Sequence, residues 1–425
     1  MLYYARGSAD IHLSKDDLKE GLYEALSKLG NKEKILAIPP DFTRFHSRAG
    51  ELTEMIWKYY GEKLTDILPA LGTHSPVKSY EISYMFGKTP SKLFRVHDWR
   101  NDVVSIGEVP ASFLNEVSEG RVNYPWPAQV NKLLVSGGHD LILSIGQVVP
   151  HEVIGMANQN KNIFVGTGGA EGINKSHFLG AAYGMERIMG RADTPVRKVL
   201  DYASDHFGIL MPIVYVLTVL GKDSEGILKT RGLFIGDDRE CFDRAAELSL
   251  QVNFIKLPKP LKKVIVYLDP SEYKSTWLGN KSIYRTRMAI DDGGELIILA
   301  PGLKEFGEDK EIDRLIRKYG YVNTPRILEL TKENEELRNN LSAAAHLIHG
   351  STENRFRVTY CPGYLTKQEI LSVNYNYGIL KEMSKIFNPG KLVDGFNTLR
   401  GGEEVFFISN PALGLWAYEE RFKNS

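Results

Sequence analysis

Cysteine is nearly absent: Cys241 and Cys361 are the two in 425 residues. That is too few for a disulfide framework or a thiolate metal cluster, and a reducing cytoplasm is the expected compartment. Charge of either sign is not in excess, since 53 Lys and Arg balance 53 Asp and Glu. Nothing therefore points to nucleic acid or an anionic membrane as a partner. The longest apolar run, ILMPIVYVLTVL at 209–220, is too short to span a bilayer and reads as a buried strand. The opening MLYYARGSADIHLSKDD meets charge early, without the apolar stretch of a secretory leader. Repeats, heptads, a Walker A loop and a G-x-S-x-G elbow are all missing. No histidine follows His151-Glu152 at the spacing of a zincin helix. GTGGAEG at 166–172 matches a dinucleotide loop only loosely and reads better as a tight turn.

What is present is an ordinary globular composition, 43% hydrophobic and 25% charged, with length for two domains or more. Over the first 250 residues, strand-like and helix-like segments alternate. KILAIPPD (34–41), LTDILPALGTH (64–74), DVVSIGEV (102–109), DLILSIGQVVPH (140–151) and NIFVG (162–166) read as strands. AGELTEMIWKYYGEK and DDRECFDRAAELSLQ read as helices. The alternation predicts an α/β fold with a largely parallel sheet, and the near-continuous apolar runs suit strands buried on both faces. Prolines and lysines in NFIKLPKPLKK (253–263) mark the best boundary. The expected domains are 1–257, an α/β catalytic and cofactor-binding unit, and 258–396, an α/β unit contributing substrate contacts. A closing segment, 397–425, could return to the first. The second begins at VIVYLDP (264–270), and TKENEELRNNLSAAAHLIHG (331–350) reads as one long helix.

In open α/β sheets, ligands sit outside the carboxyl ends of the strands, here expected to face the cleft between domains. Three expected strands end in groups able to do chemistry: Asp41-Phe42-Thr43-Arg44, Gly72-Thr73-His74 and Pro150-His151. An arginine offers a fork for a carboxylate. Two histidines from different strands can flank a small substrate as paired acid and base, the arrangement a racemase or epimerase needs. Lys161 and His177 are not explained by proton transfer and could hold a Schiff base, a phosphate or a metal.

The stretch GGHDLILSIGQVVPHEVIGMANQNKNIFVGTGGAEGINKSH, preceded by Asp41-x-Thr43-Arg44 and Gly72-Thr73-His74-x-Pro76, resembles the signature of the lactate racemase family over roughly residues 34 to 207. The resemblance implies a nickel-pincer nucleotide tethered covalently through a thioamide at Lys161, with His177 the protein's ligand to nickel. It makes His74 and His151 the catalytic acid/base pair, Arg44 the carboxylate clamp, and Asp41 a residue orienting a partner close to the cofactor. The implied reaction inverts C2 of a 2-hydroxy acid by hydride transfer to the cofactor, and it calls for cofactor-biosynthesis proteins as partners.

The sequence departs from the family pattern in three places. Phe45 follows Arg44 where proline is common. Asn158-Gln159-Asn160 stands before Lys161 where a Gly-Gly-Arg type of run is common. The aromatic-x-x-x-Lys substrate motif has an approximate match in Trp277 and Lys281. Around that pair, YKSTWLGNKSIYRTR (273–287) is crowded with hydroxyl, amide and cationic groups, more than a three-carbon hydroxy acid could use, with lactate, malate or another small 2-hydroxy acid as the alternative substrate. A larger gluconate-like sugar acid is the expected substrate; a solvated strand edge is the competing reading. Two other classes stay open: a three-histidine hydrolase or lyase, with His74, His151 and His177 on zinc or iron, and a non-catalytic sugar-acid or cofactor-binding protein.

Overall fold

The computed structural model describes residues 1–223 and 225–424. The chain divides into two compact units, residues 1–179 with 188–253, and residues 180–187 with 254–425. Both are α/β, as the alternation of segments predicts.

The first unit contributes β1 (Leu2–Gly7), β2 (Ile35–Ile38), β3 (Leu64–Ile67), β4 (Val103–Val109), β5 (Trp126–Asn131), β6 (Leu141–Gln147), β7 (Pro150–His151), β8 (Gly155–Met156), β9 (Ile213–Lys222) and β10 (Leu228–Gly236). Its main sheet has the order β1-β10-β9-β6-β2-β3. The β9-β6, β6-β2 and β2-β3 pairs are parallel, whereas β10 runs antiparallel to β9 and to β1. Every side chain of β2 and of β6 is buried, which is why those segments read as continuous apolar runs rather than alternating ones. Helix Lys15–Lys28 starts at a Ser14/Asp17 capping box and turns Leu18, Leu22 and Leu26 inward. They meet Ile35, Ala37, Leu143, Ile145 and Val216 in one core.

Two sequence expectations fail in this unit. Val103–Val109 is a strand, but it pairs antiparallel with β5 in a separate two-stranded sheet. NIFVG at 162–166 is a π-helical turn, all five residues buried. A five-residue apolar run fits a buried strand and a buried helix equally well, and periodicity cannot separate them.

The second unit contributes β11 (Phe254–Leu257), β12 (Leu261–Tyr267), β13 (Ile290–Ala300), β14 (Arg357–Pro362), β15 (Asn376–Tyr377), β16 (Gly395–Thr398), β17 (Glu404–Ile408) and β18 (Leu415–Tyr418). Its sheet order is β15-β14-β13-β12-β17-β16, parallel except at β16-β17. Ile265, Ile297, Leu299, Cys361 and Phe407 form its core. Segment 397–425 stays with this unit, β17 beside β12 and β18 beside β11. The expected long helix at 331–350 is three: Thr324–Glu333, Glu335–Arg338 and Leu341–His349. Asn334 is extended, and the Asn340 side chain caps the last helix by accepting from Ala343 N–H. Asparagine competes for backbone groups in this way and breaks helices it does not cap.

The stretch 273–287 is not a solvated strand edge. It forms helices Thr276–Gly279 and Lys281–Tyr284, and its polar side chains are largely buried. Thr276 Oγ1 donates to Phe306 O (2.8 Å), Tyr360 OH donates to Asn280 Oδ1 (2.8 Å) and Arg287 Nε donates to Glu186 (2.8 Å). Tyr321 OH lies 3.0 Å from His346 Nε2. Burial holds that imidazole neutral, with its pKa pulled down to about 3.

Candidate functional site

Because β6, β2 and β3 are parallel neighbours, their carboxyl ends share one edge of the sheet. Past β2, Asp41 caps the turn Phe42–Ser47. Its Oδ1 accepts from Thr43 N–H (2.9 Å) and Thr43 Oγ1 (2.5 Å), and its Oδ2 is in close contact with His74 Nδ1. Burial would raise the Asp41 carboxyl, but His74, Thr43 and the charge of Arg44 together hold it below the usual range. Asp41 thus stays ionised, which puts a proton on His74 Nδ1 and leaves Nε2 facing outward on a half-exposed ring. Gly72 sets up the His74 loop with φ +56°, a conformation that disfavours any side chain, and its N–H donates to Gly166 O (2.8 Å).

Past β6, the β7–β8 hairpin carries His151. Its Nδ1 accepts from Val153 N–H (3.1 Å) and lies 3.8 Å from Glu152 Oε2. Two consecutive non-glycine residues then adopt left-handed conformations, Asn158 (φ +69°) and Gln159 (φ +58°). Such strain persists only where the surroundings enforce it, and here they do. Arg197, fully buried, donates to Met156 O (2.8 Å), Asn158 O (3.2 Å) and Gln159 Oε1 (2.9 Å), and is in close contact with Asn160 Oδ1. Its guanidinium lies over the Phe242 ring at 4.1 Å.

The loop so held delivers Lys161 at the head of the π-helical turn Asn162–Gly166. Asn162 Nδ2 donates to Ile38 O on β2 and to Ser144 Oγ on β6, each at 3.1 Å, so the turn is fixed beside those two strands. Single π turns inside helical segments recur at functional sites. Burial, then the positive charge of Arg44, pulls the Lys161 ammonium down to about 8, against Glu152 and Asp41. His177, on helix Ala170–Tyr183, donates from Nδ1 to Ile173 O (2.7 Å), which leaves the Nε2 lone pair as its outward donor. Burial first, and Lys161 as well, lower its pKa, while Ile173 and Glu152 oppose them.

Asp41, Arg44, His74, His151, Lys161 and His177 thus all belong to the first unit. Close contact joins Asp41 to His74, and mutual electrostatic influence joins Arg44, Asp41, Lys161, Glu152 and His177. Trp277 and Lys281 belong to the second unit, where the indole packs on the His346 ring with centroids 4.5 Å apart. Among the described residues no three His, Cys, Asp or Glu groups converge on a metal position, so the three-histidine zinc or iron site is not formed. A group needing one imidazole and one amine does fit: His177 has its tautomer fixed by a carbonyl, as metal-binding histidines do, and Lys161 is a desolvated amine. Among the described residues, no helix is long and apolar enough to cross a membrane.

Sequence reasoning missed Glu152 and Arg197. Glu152 directly follows a candidate histidine, and Arg197 stands between Val196 and Val199 on the buried face of helix Pro195–Phe207. A charge on an apolar face is the signal that could have found it.

The comparisons with known proteins bear on the fold and on the first part of the chain. The family model described as the lactate racemase N-terminal domain matches residues 21–187. A crystal structure of a protein from Thermotoga maritima superposes with a TM-score of 0.80 at 24% identity, covering 97% of this chain and 100% of that one. The lactate racemase apoprotein from Thermoanaerobacterium thermosaccharolyticum gives 0.69 at 19% identity, covering 97% and 94%. No curated protein matches the sequence. The chain has the fold of that racemase, and its residues 21–187 match the family model of the lactate racemase N-terminal domain.

Proposed function

We propose that this protein is a racemase or epimerase inverting C2 of a 2-hydroxy acid, with a nickel-pincer nucleotide held by Lys161 and His177. One observation carries the reading: an amine pulled down to about 8 within electrostatic reach of an imidazole whose Nδ1 is committed to Ile173 O. Such an amine is nucleophilic near neutral pH, as covalent attachment at Lys161 requires. Lys161 would hold the cofactor, and His177 would supply the protein's imidazole ligand to its nickel. When bound, the cofactor supplies a reversible hydride acceptor for the substrate α-carbon.

The chain's own residues do the remainder. Arg44 grips the carboxylate and holds the flat keto acid while its second face is presented. His74 takes the hydroxyl proton at Nε2, and the charge this places on the ring is met by Asp41 at Nδ1. His151 serves the other face. Attachment is tested by intact-mass analysis of protein produced with the cofactor-biosynthesis proteins: the wild type gains a nucleotide-sized adduct and Lys161→Ala does not. For the reaction, inversion run in D₂O returns product with its C2 hydrogen retained. Extensive deuterium at C2 would instead mean that a side chain takes the α-proton, and would sink the hydride reading.

A sugar acid remains the proposed substrate, on residues other than 273–287, whose polar groups are largely taken up by buried partners elsewhere in the second unit. Phe45, next to Arg44, stacks with Phe42 (centroids 5.8 Å) and meets Tyr84 edge-on (5.9 Å). Phe45, Tyr80 and Tyr84 are 51%, 64% and 70% exposed. Aromatic faces beside a carboxylate clamp suit a substrate whose C–H surface extends past three carbons. Phe45→Ala should raise KM for gluconate several-fold and leave lactate unchanged. An equal change for both acids removes the preference.

A further inference from the structure

We infer that Glu152 is the positioning carboxylate of His151, the counterpart of what Asp41 is to His74. The inference rests on the acid/base role proposed for His151 and deepens it. To carry a proton between Nε2 and a substrate oxygen, an imidazole must keep a proton on Nδ1 throughout. With Nδ1 bare, Nε2 already bears the proton of the neutral ring, so it can accept none and could release its own only by becoming an imidazolate.

The two histidines stand differently on this criterion. His74 Nδ1 meets an ionised carboxylate and is ready to work. His151 Nδ1 accepts the Val153 N–H at 3.1 Å, which fixes its proton on Nε2 and idles the ring. Glu152 Oε2 lies 3.8 Å from that same Nδ1. A small ring rotation exchanges one partner for the other, and with the Nε2 proton released to solvent and one taken up from solvent at Nδ1, it turns Nδ1 from acceptor into donor and replaces a neutral hydrogen bond with a charge-assisted one. The hydroxyl proton then passes to Nε2 while the Nδ1 proton stays on the ring, hydrogen-bonded to the Glu152 carboxylate, so the ring becomes an imidazolium beside a carboxylate and the reverse transfer restores it. Glu152 also belongs to the cluster by its wider influence: its charge acts on both Lys161 and His177, and its side chain is 21% exposed.

The test uses Glu152→Gln and the conservative Glu152→Asp. In ¹⁵N-histidine-labelled protein, needing no cofactor, the His151 signals are assigned by their loss in His151→Gln. Wild type should show His151 exchanging between Nδ1–H and Nε2–H forms, and Glu152→Gln should show it locked as Nε2–H. In nickel-loaded protein, Glu152→Gln should lower kcat by roughly 10²-fold or more with KM and nickel content unchanged, and Glu152→Asp should recover part of the loss. Identical His151 signals in wild type and Glu152→Gln overturn the inference, as does a kcat loss that merely follows nickel loss. Should no 2-hydroxy acid be inverted by wild type, the proposed function fails while the tautomer measurement still decides the contact.

Discussion

The two units handle polar side chains in opposite ways. In the first, Arg44, His74 and His151 past the strand ends and His177 on its helix keep part of their surface accessible, with Nδ1 of each histidine engaged. In the second, Thr276, Asn280, Tyr321, His346, Tyr360 and Tyr375 bond and pack among themselves in full burial, and the imidazole there is neutral across the working pH range. Density of polar residues therefore does not mark a site. A site keeps part of its polar surface within reach of solvent, whereas a structural network closes over its own.

The contrast can be broken by substitution. His74→Ala in nickel-loaded protein should lower inversion by about 10²–10⁴-fold and leave the thermal midpoint nearly unchanged, because the ring is half exposed; a large stability loss would erase the distinction. Arg197→Met tests the buried polar network that the first unit itself contains. It leaves several buried carbonyls and amides of 156–160 without their donor, costing together about 3–5 kcal/mol in a denaturant titration. Asn280→Ala should cost about 2–4 kcal/mol, since Tyr360 OH loses its acceptor in a sealed interior. The smallest effect has the opposite sign. A lysine whose pKa falls from 10.5 to about 8 on folding penalises the folded state in full below the lower value and not at all above the higher one. Lys161→Met should thus be more stable than the apoprotein at pH 7, by about 1–3 kcal/mol, with the gap closing between pH 8 and 10.5.

Much of the first unit was legible because its signals are local. The strands Ile35–Ile38, Leu64–Ile67 and Leu141–Gln147 are short apolar runs that stop at polar residues, and stopping there is what puts Asp41, His74 and His151 near one sheet edge. The π turn after Lys161 was not legible. Its five residues satisfy either geometry, and the choice is made by Asn162 reaching the Ile38 carbonyl, 124 positions away. Glu152 and Arg197 were missed for the same reason, since what a charge does depends on partners the sequence does not place beside it. The reading of 273–287 failed in the converse direction: its composition is polar, but the partners of those groups are internal.

The strand order carries one more consequence. From β2 the chain turns to β3 on one side, and from β6 it returns to β9 on the other. The winding therefore reverses between β2 and β6, so the connections leaving these adjacent strands diverge and no segment is obliged to cross the gap. Open α/β sheets have their topological switch point at such a reversal. A crevice between the Asp41 turn and the His151 hairpin is then a property of how the sheet is wound, prior to any particular side chain. Loops on either bank can differ without closing it, and a change of substrate need not involve a change of scaffold.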